Sequence, residues 1–171
     1  MSGNKIELLP DRVVSNSGPL ISLSTIGKLE VLKALFDQIV IPPAVYHEVV
    51  VQGHGEPGSQ EVHNAEWIRS VQVKDNLAVS LLRETLDTGE SEAIVLAEEL
   101  NARYVLLDDA LARRKASVIG LNVIGTLGLL LMAKDAGLVP SVVSVLDELR
   151  QTDFHMSARV YHHVLTKAGE V

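Results

Sequence analysis

The sequence predicts an α/β domain built on a mainly parallel sheet, with a helical C-terminal third. Short β-branched runs alternate with longer helix-like runs, an order typical of parallel sheets flanked by helices. Hydrophobic residues make up 47% of the 171 residues and aromatic residues only 4%, which predicts an aliphatic core. The length fits one domain, and no repeat, linker or low-complexity tract divides the chain. We therefore predict a single domain over 1–171, with a core at about 12–137 and C-terminal helices at 138–171.

Five short apolar runs are predicted to be strands. They are RVVSN at 12–16, QIVIP at 38–42, IRSVQV at 68–73, YVLLDD at 104–109 and NVIG at 122–125. The fourth run is the clearest, because four apolar residues lead directly into two carboxylates. Such a run, bounded by turn or charged residues, indicates a buried strand.

The segments between and after these strands are predicted to be helical. The first is expected to break near Gly27, and Pro43 suits the first turn of the helix after the second strand. Asp87 or Thr88 is expected to be the N-cap of a later helix, and Gly120 to end the next one. The predicted helices are 19–36, 43–50, 59–67, 76–86, 87–102, 110–120, 126–137, 141–151 and 157–169.

Composition excludes several classes of protein. A formal net charge of −7 argues against coating nucleic acid by charge alone, although not against an enzyme that acts on it. The absence of cysteine excludes disulfides and thiolate metal sites and is compatible with a reducing cytoplasm. No apolar run approaches the roughly 18 residues of a membrane span, and the N-terminal MSGNKIELLPDR lacks the apolar segment of a signal peptide. We expect a cytoplasmic protein with no membrane partner.

Polar side chains follow two of the predicted strands. Asn16 ends the first strand, and Asp108 and Asp109 end the fourth. Sites in open α/β sheets collect outside the carboxyl ends of strands, so these residues are candidates for chemistry. The alternative is structural: Asn16 as an Asx-turn or N-cap, and one of the aspartates as a helix N-cap. Two adjacent aspartates leave the second without such a role.

Three glutamates on the predicted helices are further candidates. Glu48, alone, reads as a solvated residue, and His47 beside it points about 100° away and cannot readily share one ion. Glu90 and Glu92 differ by roughly 200° around their helix, so only one faces a given site. Glu90 lies about 60° from the centre of the apolar face and Glu92 about 100°, which favours Glu90.

Together these residues indicate a site for a hard divalent cation. Carboxylate and amide oxygens suit Mg²⁺ or Mn²⁺, which support phosphoryl chemistry. The chain has no Walker loop, no G-x-G-x-x-G, no Cys or His zinc pattern and no G-x-S-x-G elbow, so the common nucleotide-binding and hydrolase alternatives are removed.

Four segments carry a resemblance to a known family. They are S-N-S-G-P-L-I at 15–21, I-P-P-A-V-Y-H-E-V at 41–49, G-E-S-E-A-I-V-L-A at 89–97 and L-L-D-D-A-L-A-R at 106–113. In this order they resemble the PIN (PilT N-terminus) domain, most closely its VapC-like branch, over about residues 12–137. The resemblance implies a three-layer α/β/α sandwich with a four- to five-stranded sheet. It also implies a Mg²⁺- or Mn²⁺-dependent ribonuclease, often a homodimeric toxin held inactive by a small antitoxin.

The family's acids carry over one position at a time. The first falls on Asn16, the second on Glu48, the third on Glu90 and the fourth on Asp108. Second choices for the last two roles are Glu92 and Asp109, and Thr126 is expected to add a hydroxyl to the same pocket. The family pattern has aspartate where this chain has Asn16, an amide that can ligate a cation but brings no charge. Asn16 is therefore either a weakened ligand or the relic of one.

Basic residues follow the aspartates on the next predicted helix. Arg113 would lie one turn beyond the carboxylates, where a guanidinium suits an RNA phosphate, and Arg114 adjoins it. A solvated helix face is the equal alternative. The apolar helices at 76–86 and 126–137 are either a dimer face or core, which periodicity does not separate.

Three hypotheses follow for the function. The first is a metal-dependent ribonuclease that uses Glu48, Glu90 and Asp108 with Asn16 as a neutral ligand, and the toxin of a toxin–antitoxin pair is one form of this hypothesis. The second is a degenerate PIN-like module that binds RNA or a protein partner without cleavage. The third is a plain sheet protein whose acids only cap helices.

Overall fold

The computed structural model describes residues 12–171, and its centre is a sheet of five parallel strands. The strands are β1 (Val13–Ser15), β2 (Ile39–Ile41), β3 (Ile68–Ser70), β4 (Tyr104–Leu106) and β5 (Val123–Ile124). They are arranged in the order β3-β2-β1-β4-β5. All five predicted strands are confirmed, each shorter than its sequence run. The prediction from residues 1–11, that no signal segment is present, lies outside the described residues.

Ten α-helices and one π-helical segment surround the sheet in the described part of the chain. They are α1 (Ser17–Thr25), α2 (Glu30–Phe36), α3 (Pro43–Tyr46), the π-helical segment (His47–Gln52), α4 (Ser59–Asn64), α5 (Asn76–Leu82), α6 (Thr88–Glu99), α7 (Ala110–Val118), α8 (Thr126–Asp135), α9 (Val142–Arg150) and α10 (Ala158–Ala168). The predicted break near Gly27 separates α1 from α2, and Asp87 is the N-cap of α6, accepting from Glu90 N–H at 2.7 Å.

The sheet separates two apolar layers, because neighbouring side chains on a strand point to opposite faces. Val13 and Leu106 face one cluster, which includes α1, α2 and α8, while Val14 and Val105 face the other, which includes α6 and α7. This is the three-layer α/β/α sandwich that the resemblance implied. Both layers are mainly aliphatic, as the composition predicted.

The C-terminal helices belong to the first of these layers. Leu146 of α9 is fully buried, and Val164 and Leu165 of α10 are nearly so, all within the same cluster as α8. Glu170 closes this region by accepting hydrogen bonds from the N–H groups of Val142 and Val143 at 2.7 and 2.8 Å. These helices therefore cover the sheet as part of the core.

The strand order places a crevice between β1 and β4. From β1 the chain proceeds outward to β2 and β3 on one side, whereas β4 and β5 lie on the other. Ser15 pairs with Leu106, so the residues after each strand emerge side by side. Open α/β sheets bind ligands at such a switch point. Within residues 12–171, no helix is long and apolar enough to span a membrane.

Candidate functional site

Asn16 leaves β1 at the crevice with an unsatisfied oxygen. Its backbone N–H donates to Leu106 O at 3.0 Å, but its side chain makes no capping hydrogen bond to α1. The residue is 6% exposed, and Oδ1 is buried without a hydrogen-bond partner. Most buried acceptors are satisfied, and an unsatisfied one costs about 1–3 kcal/mol. The Asn16 side chain therefore does not cap α1, which was one of the structural alternatives for this residue.

Glu48 approaches the same point from another element. A Cβ placed on Gly89 would lie 3.1 Å from Asn16 Oδ1 and 3.2 Å from Glu48 Oε2. Only a glycine at the start of α6 leaves this space to the two oxygens. Gly89 begins the motif at 89–97, but the sequence by itself does not indicate a role for it. A glycine near the start of a predicted helix, where glycine is disfavoured, is the sequence signal that could have identified it.

The π-helical segment positions Glu48. Helix α3 ends at Tyr46 and the chain continues as wider π turns, which are rare and frequently found at functional sites. Gly53 follows this segment, and a Cβ there would lie 2.5 Å from Val49 O. No side chain fits that close to a backbone carbonyl, so Gly53 permits the path that holds Glu48 in place. His47 is exposed, which agrees with its exclusion as a ligand partner of Glu48.

Glu90 stands in the first turn of α6 in a capping box with Asp87. Glu90 Oε2 accepts from Asp87 N–H at 3.1 Å. Burial raises the pKa of Glu90, the hydrogen bond from Asp87 opposes the rise, and the negative charges of Asp87, Asp109 and Glu48 add to it. The carboxylate is thus close enough to Glu48 and Asp109 to feel their repulsion, a clustering that a cation would relieve.

Glu92 serves the adjoining backbone. Its Oε2 accepts from Ala44 N–H at 3.0 Å, at the start of α3, where a negative charge suits the helix dipole. This bond ties α6 to the helix that leads to Glu48. The structure therefore gives Glu92 a positioning contact, and Glu90 the place near the other acids.

Asp108 leaves β4 beside Asn16 and is held by Thr126. The backbone N–H and the hydroxyl of Thr126 donate to Asp108 Oδ1 and Oδ2, each at 2.7 Å. Thr126 is fully buried at the start of α8, and its hydroxyl lies beside Asp108, as the sequence analysis expected. A Cβ on Gly18 would lie 3.3 Å from Asp108 Oδ2, so the carboxylate also packs closely against α1.

Asp109 is the N-cap of α7, accepting from Ala112 N–H at 2.8 Å. The two adjacent aspartates thus divide their roles, and Asp108 is the one left facing the crevice. Arg113 is exposed one turn along α7. A Cβ on Gly125 would meet its guanidinium and lie 3.0 Å from Asp108 Oδ1. Arg114 lies with Arg113 and Asp108 around an adjoining surface hollow of about 740 Å³.

A larger cleft of about 1160 Å³ adjoins the site, and Asn16 and Glu90 are not among the residues that line it. Glu48, Asp108 and Asp109 line one part of it together with Arg113, and residues 151–155 between α9 and α10 line another. The contribution of residues 151–155 was not predicted, because no motif marks that segment. The cleft thus joins the crevice acids to the C-terminal part of the chain.

The donors fit a hard cation held by few protein ligands. Asn16 Oδ1 is a buried, unpaired amide oxygen that faces a carboxylate, which suits Mg²⁺ or Mn²⁺. Among residues 12–171, no group of three His, Cys, Asp or Glu side chains could surround one ion. Mg²⁺ commonly keeps several waters and binds one or two carboxylates, so this smaller donor set is compatible with it.

The comparison with protein families decides the assignment. A family model described as a PIN domain, DUF3368, matches residues 12–170. The chain belongs to the PIN-domain family. PIN domains are generally nucleases and typically use divalent metals. The match extends beyond the predicted resemblance at 12–137 and includes the C-terminal helices.

The comparison with solved structures finds a match to a PilT N-terminus domain protein from the hyperthermophilic archaeon Sulfolobus solfataricus P2. It is 17% identical, with a TM-score of 0.47, and the alignment covers 85% of this chain and 99% of that chain. The comparison with curated protein sequences found no match.

Proposed function

We propose that this PIN domain is a Mg²⁺- or Mn²⁺-dependent ribonuclease that hydrolyses RNA phosphodiesters. One observation carries the proposal: the unpaired Asn16 Oδ1 and the Glu48 Oε2 both lie close to the point that a Cβ on Gly89 would occupy, at 3.1 and 3.2 Å. A buried acceptor without a donor, facing a carboxylate, is unfavourable unless a cation joins them.

Three side chains would hold the cation, and a fourth would add negative charge beside them. Asn16 and Glu48 would bind it directly, and Asp108, oriented by Thr126, would reach it from the β4 side. Glu90 would add negative charge beside Glu48, which strengthens attraction for the cation. When bound, a divalent cation supplies Lewis acidity and lowers the pKa of a coordinated water.

Two arginines support an RNA substrate. Arg113 lines both the cleft and the adjoining hollow, while Arg114 lines the hollow alone, both next to Asp108. A guanidinium binds a phosphate through two parallel hydrogen bonds. An RNA backbone passing from the cleft into the hollow would therefore bring one phosphodiester to Asp108 and the next to an arginine.

A catalytically degenerate module is the second candidate. The neutral Asn16 and the lack of a three-acid group within the described residues favour it. Such a protein would bind RNA or a protein partner through the same cleft without cleavage. The two candidates differ in whether the cation site supports turnover.

Cleavage of a mixed RNA panel in Mn²⁺ tests this choice. The wild type is compared with Asn16→Asp, Asp108→Asn and Asp135→Asn, the last an exposed aspartate at the end of α8. Wild-type activity that is lost in Asp108→Asn and retained in Asp135→Asn establishes the nuclease. Activity in Asn16→Asp alone means that the site lacks one charge. Silence of all variants, together with no Mn²⁺ binding by calorimetry, supports the degenerate module.

We further propose that this cytoplasmic nuclease acts as the toxin of a toxin–antitoxin pair and forms a homodimer. Helix α5 supports a protein partner, since Leu77 and Leu81, one turn apart, are 72% and 62% exposed. Helix α8, the other helix for which a dimer face and core were both left open, buries Leu129 and Leu130 in the core. The molar mass in solution, compared between the wild type and a variant that carries both Leu77→Lys and Leu81→Lys, tests the dimer.

The toxin role is tested in growing cells. Expression of the protein should arrest growth, and co-expression of a small protein encoded by a neighbouring gene should relieve the arrest.

A further inference from the structure

The cleft over the acids is larger than a pocket for one small molecule. Its volume of about 1160 Å³ exceeds the roughly 300–1,000 Å³ typical of small-ligand pockets. It continues from the acids to the connection between α9 and α10, where Phe154 and His155 contribute to its wall. The shape fits a stretch of a polymer that extends beyond the phosphodiester at the acids.

The charge of the cleft limits how that polymer is held. Five carboxylates line it, namely those of Glu48, Glu56, Asp108, Asp109 and Asp153, against the single guanidinium of Arg113. Affinity from neutralised phosphates is therefore small, since it grows with the number of Lys and Arg contacts. Contacts to the bases must therefore supply the rest of the binding free energy. A duplex conceals its base faces, so the lining favours an unpaired strand.

The far wall of the cleft offers a fixed apolar face for such a base. Phe154 is half-buried against the core cluster that contains α8 and α9, which holds its ring in place. Thr152 fixes the backbone before it: the hydroxyl donates to Leu149 O at 2.7 Å and accepts from Phe154 N–H at 3.1 Å. Ile21 and Leu127 add apolar surface to the same cleft. A preorganised aromatic wall loses little freedom when a base stacks on it.

We propose that Phe154 and His155 form a subsite for an unpaired nucleobase of single-stranded RNA, next to the nucleotide whose phosphodiester lies at Asp108. This inference rests on the proposed ribonuclease function and adds a base-binding subsite to it. Base–aromatic stacking tolerates any base, so the subsite selects for single strands and not for one sequence.

Fluorescence anisotropy tests the subsite by binding and not by turnover. The probe is a labelled single-stranded RNA 12-mer in Ca²⁺, checked on a gel to stay intact, and the competitor is the same sequence as a duplex. The variants are Phe154→Leu, which keeps an apolar side chain against the core, and His155→Ala, which changes an exposed residue. His163→Ala is the matched control, an exposed histidine of α10 that is not among the residues lining the cleft.

The subsite predicts that the single strand binds at least tenfold more tightly than the duplex. Each cleft variant should weaken single-strand binding about tenfold and raise KM more than it lowers kcat, while His163→Ala leaves both unchanged. With phosphate contacts limited to Arg113 and Arg114, log K should fall with log salt at a slope between about −0.7 and −1.4.

Other results overturn the inference or the function beneath it. If RNA is cleaved and the cleft variants bind single strand and duplex as the wild type does, the subsite is wrong and the ribonuclease stands. A salt slope much steeper than −1.4 also contradicts the subsite, because phosphate contacts then dominate. If the wild type neither binds nor cleaves RNA, both proposals fail.

Discussion

Thr126 holds Asp108 at both carboxylate oxygens, with its N–H on Oδ1 and its hydroxyl on Oδ2, each at 2.7 Å. The two residues are 18 positions apart in sequence and meet because β4 and β5 are neighbours and each polar residue lies two positions after the end of its strand. This pair fixes the direction of the carboxylate that the proposed function requires.

Replacing Thr126 by valine should loosen Asp108. The variant keeps the shape of the side chain but removes the hydroxyl donor, leaving Oδ2 without this partner at a cost of about 1–3 kcal/mol. We expect a melting temperature lower by several degrees and RNA cleavage reduced at least tenfold, measured by calorimetry and by a gel assay. Thr126→Ser retains the hydroxyl and should keep most of the activity. Equal losses in both variants would contradict the role of the hydroxyl.

Replacing Asn16 by aspartate should change stability in opposite directions without and with metal. A second carboxylate facing Glu48 in a buried position is unfavourable, so we expect the metal-free protein to lose about 2 kcal/mol. A bound cation removes that repulsion, and ligand binding to the folded state adds stability. Thermal unfolding in EDTA and in Mn²⁺ measures both effects. A melting temperature that Mn²⁺ does not raise more in Asn16→Asp than in the wild type would argue against a cation between these residues.

Replacing Gly89 by alanine should obstruct the site without unfolding the protein. The new methyl group would lie 3.1 Å from Asn16 Oδ1 and 3.2 Å from Glu48 Oε2, in the space assigned to the cation. Alanine is favoured over glycine in a helix by up to about 1 kcal/mol, which offsets the crowding. We expect Mn²⁺ affinity to fall at least tenfold with little change in melting temperature, both by calorimetry.

Gly128→Ala is the matched control for Gly89→Ala. Gly128 is also helical, and its added methyl would lie 3.1 Å from Ile124 Cγ2, an apolar group. Its crowding is therefore similar but does not involve site oxygens. Equal loss of Mn²⁺ binding in both variants would show that helix crowding, and not the cation space, is responsible.

The raised pKa of Glu90 should make the folded state less stable as pH rises above about 4.5. Burial holds its pKa above the usual 4.5, so the folded state binds this proton more tightly than the unfolded state does. The folded state therefore loses stability as pH rises from about 4.5 through the raised pKa. Glu90→Gln should raise the melting temperature in EDTA at pH 7 and show no gain near pH 4. Glu98→Gln, an exposed position on the same helix, is the control. A gain that does not depend on pH would contradict this origin.

Glu170 should have the opposite pH dependence. Hydrogen bonds from the N–H groups of Val142 and Val143, with Lys134 at 3.0 Å, lower its pKa to about 2. Its stabilising effect is then complete above pH 4.5 and is lost as pH falls towards 2. The difference in melting temperature between the wild type and Glu170→Gln should be constant from pH 7 to 5 and should shrink as pH falls below 4.5. A control is Glu148→Gln on α9, and a difference that persists at pH 2 would refute the assignment.

Much of the fold could be predicted because it depends on local pattern. Runs such as YVLLDD indicate buried strands, and glycine and proline mark most of the helix boundaries. The strands proved shorter than their runs, since parallel pairing needs both neighbours in register and the outer residues lack one. Helix α5 ends at Leu82 and not near 86, and two of its leucines, Leu77 and Leu81, are exposed.

The candidate site could be predicted only in part. Residue type and spacing identified Asn16, Glu48, Glu90 and Asp108, but several roles depend on contacts between elements distant in sequence. Spacing makes Glu92 a second choice for the cation, whereas the structure shows that its carboxylate accepts a hydrogen bond from Ala44 N–H. The division between Asp108 and Asp109 likewise depends on which carboxylate reaches the first turn of α7.

The sequence by itself determined the class of fold, the aliphatic core and the candidate oxygen ligands, two after strands and two on helices. These follow from periodicity and from residue chemistry, which are local properties. Only the tertiary structure decided that Asn16 keeps an unpaired oxygen, that Gly89 leaves space for it to face Glu48, and that residues 151–155 form a wall of the cleft. Those relationships are set by packing among elements far apart in the chain, because distances of a few ångströms depend on how whole helices and strands meet.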